Sequence, residues 1–228
     1  MVSLSPDCDT IAGVSPAKLS PVSDVRVLDH PLAGHLIGQL RDHSTLPEQF
    51  RNVSRILTTL LVLDATRYLK TRETTVQTPL ESTTVKSLQQ GLAAVPVLRA
   101  GLGMLEPVTQ LFPDVKVGYI GLERHHETAV AHSYYCKLPD LTDRLVLCLD
   151  PMLATGGSAS QAISLIRAHG AEEVVMVSVV SAPQGIDRLQ SDHPDVTIVT
   201  AALDRDLNDL KYILPGVGDF GDRLYGTF

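Results

Sequence analysis

Five apolar residues run without a break, Leu145-Val146-Leu147-Cys148-Leu149, and end on an acid, Asp150. A strand with one face in water would alternate apolar and polar side chains. A run that does not alternate predicts a strand covered on both faces, inside a layered α/β domain. Thr155-Gly156-Gly157-Ser158 follows closely, and behind it Ala159, Ala162, Ile163 and Ile166 recur at helical spacing. The stretch therefore reads as strand, small-residue loop and helix N-terminus. In that geometry unpaired backbone N–H groups and the positive end of the helix dipole converge on one point, which suits a phosphate. Glycines admit the ligand close to the backbone, and Thr155 and Ser158 add hydroxyl donors. Thr-Gly-Gly-Ser taken alone is more often a structural turn, and it is the acid before it and the helix behind it that raise the phosphate reading to an equal footing. No lysine follows the glycines, so this is not a Walker A loop, and the spacing is not the Gly-x-Gly-x-x-Gly dinucleotide fingerprint.

The same grammar extends along the chain. Residues 93–98, 115–122, 174–180 and 196–201 are further apolar or β-branched runs, and helical patterns separate them. Alternation of this kind predicts a mainly parallel twisted sheet flanked by helices, with ligands bound beyond the carboxyl ends of the strands. Three loops fall at that end: Arg99-Ala100-Gly101-Leu102-Gly103, an exposed flap or hairpin over 123–139 that carries Arg124, His125 and His126, and the Asp150–Ser158 loop. Upstream, 25–28 is a short strand, 30–41 a helix, and 47–69 a long helix with Pro47 in its first turn. The Thr-rich segment 73–86 predicts a peripheral hairpin. Residues 1–24, rich in Ser, Pro and Asp, read as a loosely ordered tail, leaving 25–228 as a single domain. From Asp204 onward the chain carries loop signals.

Composition excludes several functions. The net charge of −7 gives no electrostatic footprint for nucleic acid. No window is long and apolar enough to span a membrane, and the N-terminus lacks the pattern of a secretory signal. Cys8, Cys136 and Cys148 are odd in number and widely spaced, which predicts neither a disulfide framework nor a zinc site and fits a cytoplasmic location. His125 and His126 are sequence neighbours without a third ligand at suitable spacing, so the pair is not read as a metal site.

Four stretches carry a resemblance to a known family: His30-Pro31-Leu32; Val95-Pro96-Val97-Leu98-Arg99-Ala100-Gly101-Leu102-Gly103-Met104; Asp150-Pro151-Met152-Leu153-Ala154-Thr155-Gly156-Gly157-Ser158; and Pro215-Gly216-Val217-Gly218-Asp219 with Gly221-Asp222-Arg223. Together, and in this order, they resemble the uracil phosphoribosyltransferases, which are type I phosphoribosyltransferases, over residues 30–228. The resemblance implies the type I fold with an N-terminal helical segment, a flap hairpin and a C-terminal hood. It implies transfer of ribose 5-phosphate from phosphoribosyl pyrophosphate (PRPP) to N1 of uracil, giving uridine monophosphate (UMP) and pyrophosphate, in pyrimidine salvage. Pro151 stands where many phosphoribosyltransferases carry a second acid, which favours uracil over purines or orotate.

By the same resemblance Arg99 and Arg124 hold the pyrophosphate, and Arg99, Arg124, Asp150 and Asp219 form the catalytic set. Asp150 to Ser158 receive the ribose and its 5′-phosphate, with the backbone of Thr155–Ser158 as the phosphate cradle. Main-chain groups at Ile213, Gly218, Asp219 and Phe220 meet uracil. Asp219 also faces PRPP through Mg²⁺, the implied cofactor, which no side chain is expected to ligate directly. GTP is a candidate effector, and a homodimer or homotetramer is implied. No side chain is assigned as proton acceptor for uracil N1.

The chain departs from the family pattern at Asp64 (usually Glu), at His125 and His126 (often Asn and Glu), at Asp206 (often Gly) and at Leu210-Lys211 (often His-Gly). Asp222-Arg223 reads as a local ion pair, and Asp64 and Arg67 as structural or interface residues. A fold-mate that senses PRPP or nucleotides without turnover is the alternative from a different class. A P-loop uridine kinase is disfavoured by the absent Walker lysine.

Overall fold

The computed structural model describes residues 24–124 and 131–227. The predicted tail over residues 1–23, the flap histidines His125 and His126, and Phe228 lie outside the described residues. In chain order the elements are β1 (Val25–Val27), α1 (Pro31–Arg41), α2 (Pro47–Ala65), β2 (Thr71–Gln77), β3 (Ser82–Leu88) and β4 (Gly91–Leu98). A 3₁₀ turn (Ala100–Met104) leads into α3 (Leu105–Leu111), followed by β5 (Lys116–Val117), β6 (Tyr119–Arg124) and β7 (Ala131–Lys137). Then come β8 (Arg144–Leu149), β9 (Met152–Leu153), α4 (Gly157–Ala168), β10 (Glu173–Ser181), α5 (Pro183–Asp192), β11 (Thr197–Leu203), β12 (Asp206–Leu207), β13 (Ile213–Leu214) and α6 (Phe220–Tyr225).

The main sheet runs β1-β11-β10-β8-β4-β6-β7, with β5 beside β4 and β9 beside β10. Every pairing is parallel except β6 with β7. The non-alternating run at 145–149 sits at the centre as β8, between β4 and β10. Its side chains divide between two cores. Leu145, Leu147 and Leu149 join the face covered by α1, α2, α3 and α6, whereas Val146 and Cys148 join the face covered by α4 and α5. Both faces of the strand are dry, which is why its sequence does not alternate. Burial pushes the Cys148 thiol far above its ordinary range; it is an inert core residue.

Local signals set the boundaries. Pro31 and Pro47 occupy the first turns of α1 and α2, where a missing N–H costs nothing. The His30 side chain accepts the N–H of Leu32 at 3.1 Å and caps α1. The helix α2 ends at Ala65, short of the expected residue 69. The hydroxyl of Thr66 donates to the carbonyl of Val62 at 2.7 Å, and residues 66–68 turn away. Asp64 is nearly buried there and pairs with Arg67 at 2.7 Å and Arg26 at 3.6 Å, a structural role. The Thr-rich segment forms the β2–β3 hairpin, which stands apart from the main sheet and is exposed along almost its whole length. The predicted strand over 115–122 is split at Gly118 into β5 and β6.

The C-terminus holds more order than its loop signals suggest. β12 and β13 form a small antiparallel ribbon, and α6 follows. Phe220 anchors α6, its ring meeting Phe50 of α2 edge-on at 5.0 Å between centroids. Arg41 of α1 reaches over to the ribbon, pairing with the buried Asp204 at 2.6 Å and donating to the Gly216 carbonyl at 2.9 Å. Among the described residues no helix is long and apolar enough to cross a membrane.

Candidate active site

At the carboxyl ends of β4 and β8 lies a cleft of about 400 Å³. Its wall includes Arg99, Asp150, Thr155, Gly156, Ser158, Ile213, Gly218, Asp219 and Phe220, with Met152, Leu153 and Ala154 along the connecting loop. The cleft thus gathers residues that lie more than a hundred positions apart in sequence, as the strand-end rule requires.

The loop after β8 is shaped by Gly156. It caps α4 with φ +77°, and a Cβ there would sit 2.8 Å from the carbonyl oxygen of Gly185. An L side chain is therefore opposed twice, by the left-handed backbone and by the packing of α5. No side chain caps α4. Its first-turn N–H groups are left for a ligand, together with the dipole of a twelve-residue helix. Asp150 holds the loop's entrance: its N–H donates to Val177 at 3.2 Å and its carbonyl accepts the Ser178 hydroxyl at 2.8 Å. Pro151 and Gly157, included in the sequence-based set, do not line the cleft. Pro151 is buried, and its carbonyl accepts the N–H groups of Val179 and Val180 at 3.0 Å each. Gly157 opens α4.

Arg99 follows β4 through a cis peptide from Leu98. The turn behind it packs tightly: a Cβ at Gly101 would meet the Leu149 carbonyl oxygen at 2.3 Å. The guanidinium of Arg99 pairs with Asp222 at 3.3 Å. That overturns the expected Asp222–Arg223 pair. Arg223 points the other way, donating to the carbonyls of Val217 at 2.8 Å and of Leu40, with its guanidinium 4.5 Å from the Phe50 ring centre. Burial lowers the Arg223 pKa. Neighbouring side chains on a short helix diverge, so sequence adjacency misled.

Asp219 stands at the N-cap of α6 and accepts the Asp222 N–H at 2.9 Å. Sequence reasoning missed this helix, although an Asp three residues before an Asp-Arg pair is a capping signal. Ile213 is buried in β13, opposite Leu207. Arg124 ends β6, in register with Ala131 of β7, so the flap is an antiparallel hairpin at the sheet edge. The Arg124 side chain lies outside the described part of the structure, as do residues 125–130.

Leu210, Lys211 and Tyr212 also line the cleft, beyond the residues that the resemblance assigns to it. The signal for them was their place beside Ile213 in a segment departing from the family pattern. Among the described residues no group of three His, Cys, Asp or Glu side chains could hold a metal ion by itself. The two carboxylates on the cleft wall, Asp150 and Asp219, suit a hard cation that keeps most of its ligands from water and substrate oxygens.

Comparison with known proteins adds an independent line. A sequence model of the family described as "Uracil phosphoribosyltransferase" matches residues 27–227. The uracil phosphoribosyltransferase of Dictyoglomus thermophilum is 49% identical over 205 residues, spanning 89% of this chain and 99% of its own. That of Thermus thermophilus is 47% identical over 205 residues, with the same coverage. A solved structure of a protein from Aquifex aeolicus superposes with a TM-score of 0.84 at 38% identity, covering 88% of this chain and 97% of the other.

Proposed function

The chain belongs to the uracil phosphoribosyltransferase family, and from that premise we propose how its own residues carry the reaction. The enzyme joins N1 of uracil to C1′ of PRPP. The C1′–O bond to pyrophosphate breaks, the C1′–N1 bond forms, and the N1 proton leaves. The products are UMP and pyrophosphate.

One observation carries the assignment of roles: Arg99, Asp150, the uncapped start of α4 and the Gly218–Phe220 segment share one cleft wall. The 5′-phosphate sits on the N–H groups at the start of α4, with the hydroxyls of Thr155 and Ser158 beside it. Asp150 accepts from the ribose hydroxyls and places negative charge near C1′ as it becomes oxocarbenium-like. Arg99 takes up the charge developing on the departing pyrophosphate, and Arg124 joins it from the flap. Asp219 faces the substrate while its second task, capping α6, fixes its rotamer. Uracil carries no charge, so its alternating N–H and C=O edge is read by backbone groups at Ile213 and Gly218–Phe220. The buried ring of Phe220 keeps that backbone in place. Asp150 and Asp219, the two carboxylates on the cleft wall, would face a bound Mg²⁺, which would supply charge neutralisation at the departing pyrophosphate. Ile56 and Leu63, one above the other on the outer side of α2 and exposed, and the free-standing β2–β3 hairpin support a homo-oligomer.

The experiment is UMP formation from uracil, PRPP and Mg²⁺, with hypoxanthine, adenine and orotate as parallel bases. Turnover with uracil alone is the expected result. Binding of PRPP without turnover of any base would replace the enzyme with a sensor of the same fold.

A further inference from the structure

Lys211 stands in a backbone conformation that a lysine does not favour. Its φ is +65°, one of two positive values found at non-glycine residues among the described part of the chain. The conformation is imposed by the turn joining β12 to β13. There the Lys211 N–H donates to the Asn208 carbonyl at 2.9 Å, the Tyr212 N–H to the Asn208 side chain at 2.9 Å, and the Asn208 N–H to the Tyr212 carbonyl at 2.9 Å. Such a turn requires a left-handed residue at its end and is served best by glycine. It does not require a lysine.

The turn is held over the cleft at its base. Asp206 accepts from Gln184 of α5 at 2.5 Å, and Asp204 is clamped by Arg41. Lys211 therefore projects from a fixed tip, and it lines the cleft. The charges on that wall, among the described residues, are Asp150, Asp219, Arg99 and Lys211. Arg99 is paired with Asp222. Lys211 forms no ion pair among the described residues, so of the two described cations on that wall it is the one no carboxylate engages.

We propose that Lys211 is a substrate-binding residue that contacts a phosphate group of the phosphoribosyl ligand from the hood side of the cleft. The inference rests on the reading of the cleft as the phosphoribosyl transfer site. Two independent observations carry it: a left-handed backbone position occupied by a side chain where none is structurally needed, and a lysine without an ion-pair partner among the described residues on the lining of a cleft read as the site of a multiply charged anion. A four-carbon stem lets the ammonium follow that anion without moving the turn.

Calorimetry on wild type, Lys211→Gly and Lys211→Arg with UMP, with pyrophosphate plus Mg²⁺, and with uridine tests it. Glycine relieves the left-handed strain, so its melting temperature is expected to stay or rise. Affinity for UMP or for pyrophosphate is expected to fall on the order of tenfold, with uridine unchanged and arginine restoring most of the loss. A loss confined to UMP assigns the contact to the 5′-phosphate; a loss confined to pyrophosphate assigns it to the leaving group. The proposal is overturned if the glycine variant binds both anions as wild type does, if uridine weakens equally, or if the melting temperature drops along with binding. A wild-type protein that makes UMP beside an unaffected glycine variant removes the Lys211 role alone. A wild-type protein that binds none of the anions removes the transfer-site reading as well.

Discussion

The guanidinium of Arg99 lies 3.3 Å from the carboxylate of Asp222, and the hydroxyl of Tyr225 donates to the Arg99 carbonyl at 3.1 Å. One short helix, α6, therefore brackets the arginine expected to face pyrophosphate, while its N-cap, Asp219, lines the same cleft. Both partners are substantially exposed, at 60% and 36% of their side chains, so the pair contributes little to stability, under about 1 kcal/mol. Its proposed effect is to aim the arginine. Arg99→Ala is expected to lower kcat on the order of a hundredfold with the fold intact. Asp222→Asn should lower kcat/KM for PRPP about three- to tenfold, with the KM for uracil unchanged. Steady-state kinetics with each substrate varied in turn decides this, and a loss confined to uracil would refute the aiming role.

Asp150 closes the central strand and faces the cleft. Its backbone contacts, to Val177 and Ser178, do not depend on the carboxylate. Asp150→Asn should therefore fold normally by circular dichroism and lose kcat on the order of a hundredfold. Near-normal turnover in this variant and in Arg99→Ala would undo the proposed roles together.

Gly156→Ala meets two obstacles, the φ of +77° and the Gly185 carbonyl 2.8 Å from the new Cβ. The left-handed backbone alone costs about 1–2 kcal/mol, and relief of the contact shifts the phosphate cradle. Urea denaturation should show a loss of at least that size. The KM for PRPP should rise on the order of tenfold or more, while exposed positions of the same helix such as Ala168 tolerate substitution.

Asp204 is buried beneath the ribbon. Burial pushes its pKa up, but the hydrogen bond and charge of Arg41 and the N–H of Gly216 more than offset this, and the net shift is downward from 3.8. A carboxylate whose folded pKa is depressed stabilises the protein fully above its unfolded value. That contribution is lost as pH falls from about 3.8 through the lower folded value. Acid melts followed by tryptophan-free probes, such as tyrosine fluorescence, should show this loss in wild type. Asp204→Asn should be destabilised at neutral pH by about 2–3 kcal/mol, at the low end for a buried pair because Arg41 keeps some exposure. The variant's stability should then vary less between pH 5 and pH 3 than that of wild type.

Much of the architecture was legible in the chain. The uninterrupted apolar run at 145–149 and the Val-rich run at 174–180 pointed to strands dry on both faces, and helical spacing between them called for parallel crossovers. The small-residue loop after Asp150 announced a helix N-terminus free to bind an anion. These features are local, set by periodicity, backbone sterics and capping chemistry, and local sequence determines them. Tertiary structure decided what the neighbours of each functional group would be. Asp222 turned from adjacent Arg223 to Arg99, far away in sequence, because successive side chains on α6 point in different directions. Phe220 is fixed by Phe50 across the core, and that contact places the backbone expected to read uracil. Lys211 came to the cleft only because Arg41–Asp204 and Gln184–Asp206 hold its turn there. Contacts of this kind depend on where whole elements pack, and packing is a property of the assembled layers rather than of any one stretch of sequence.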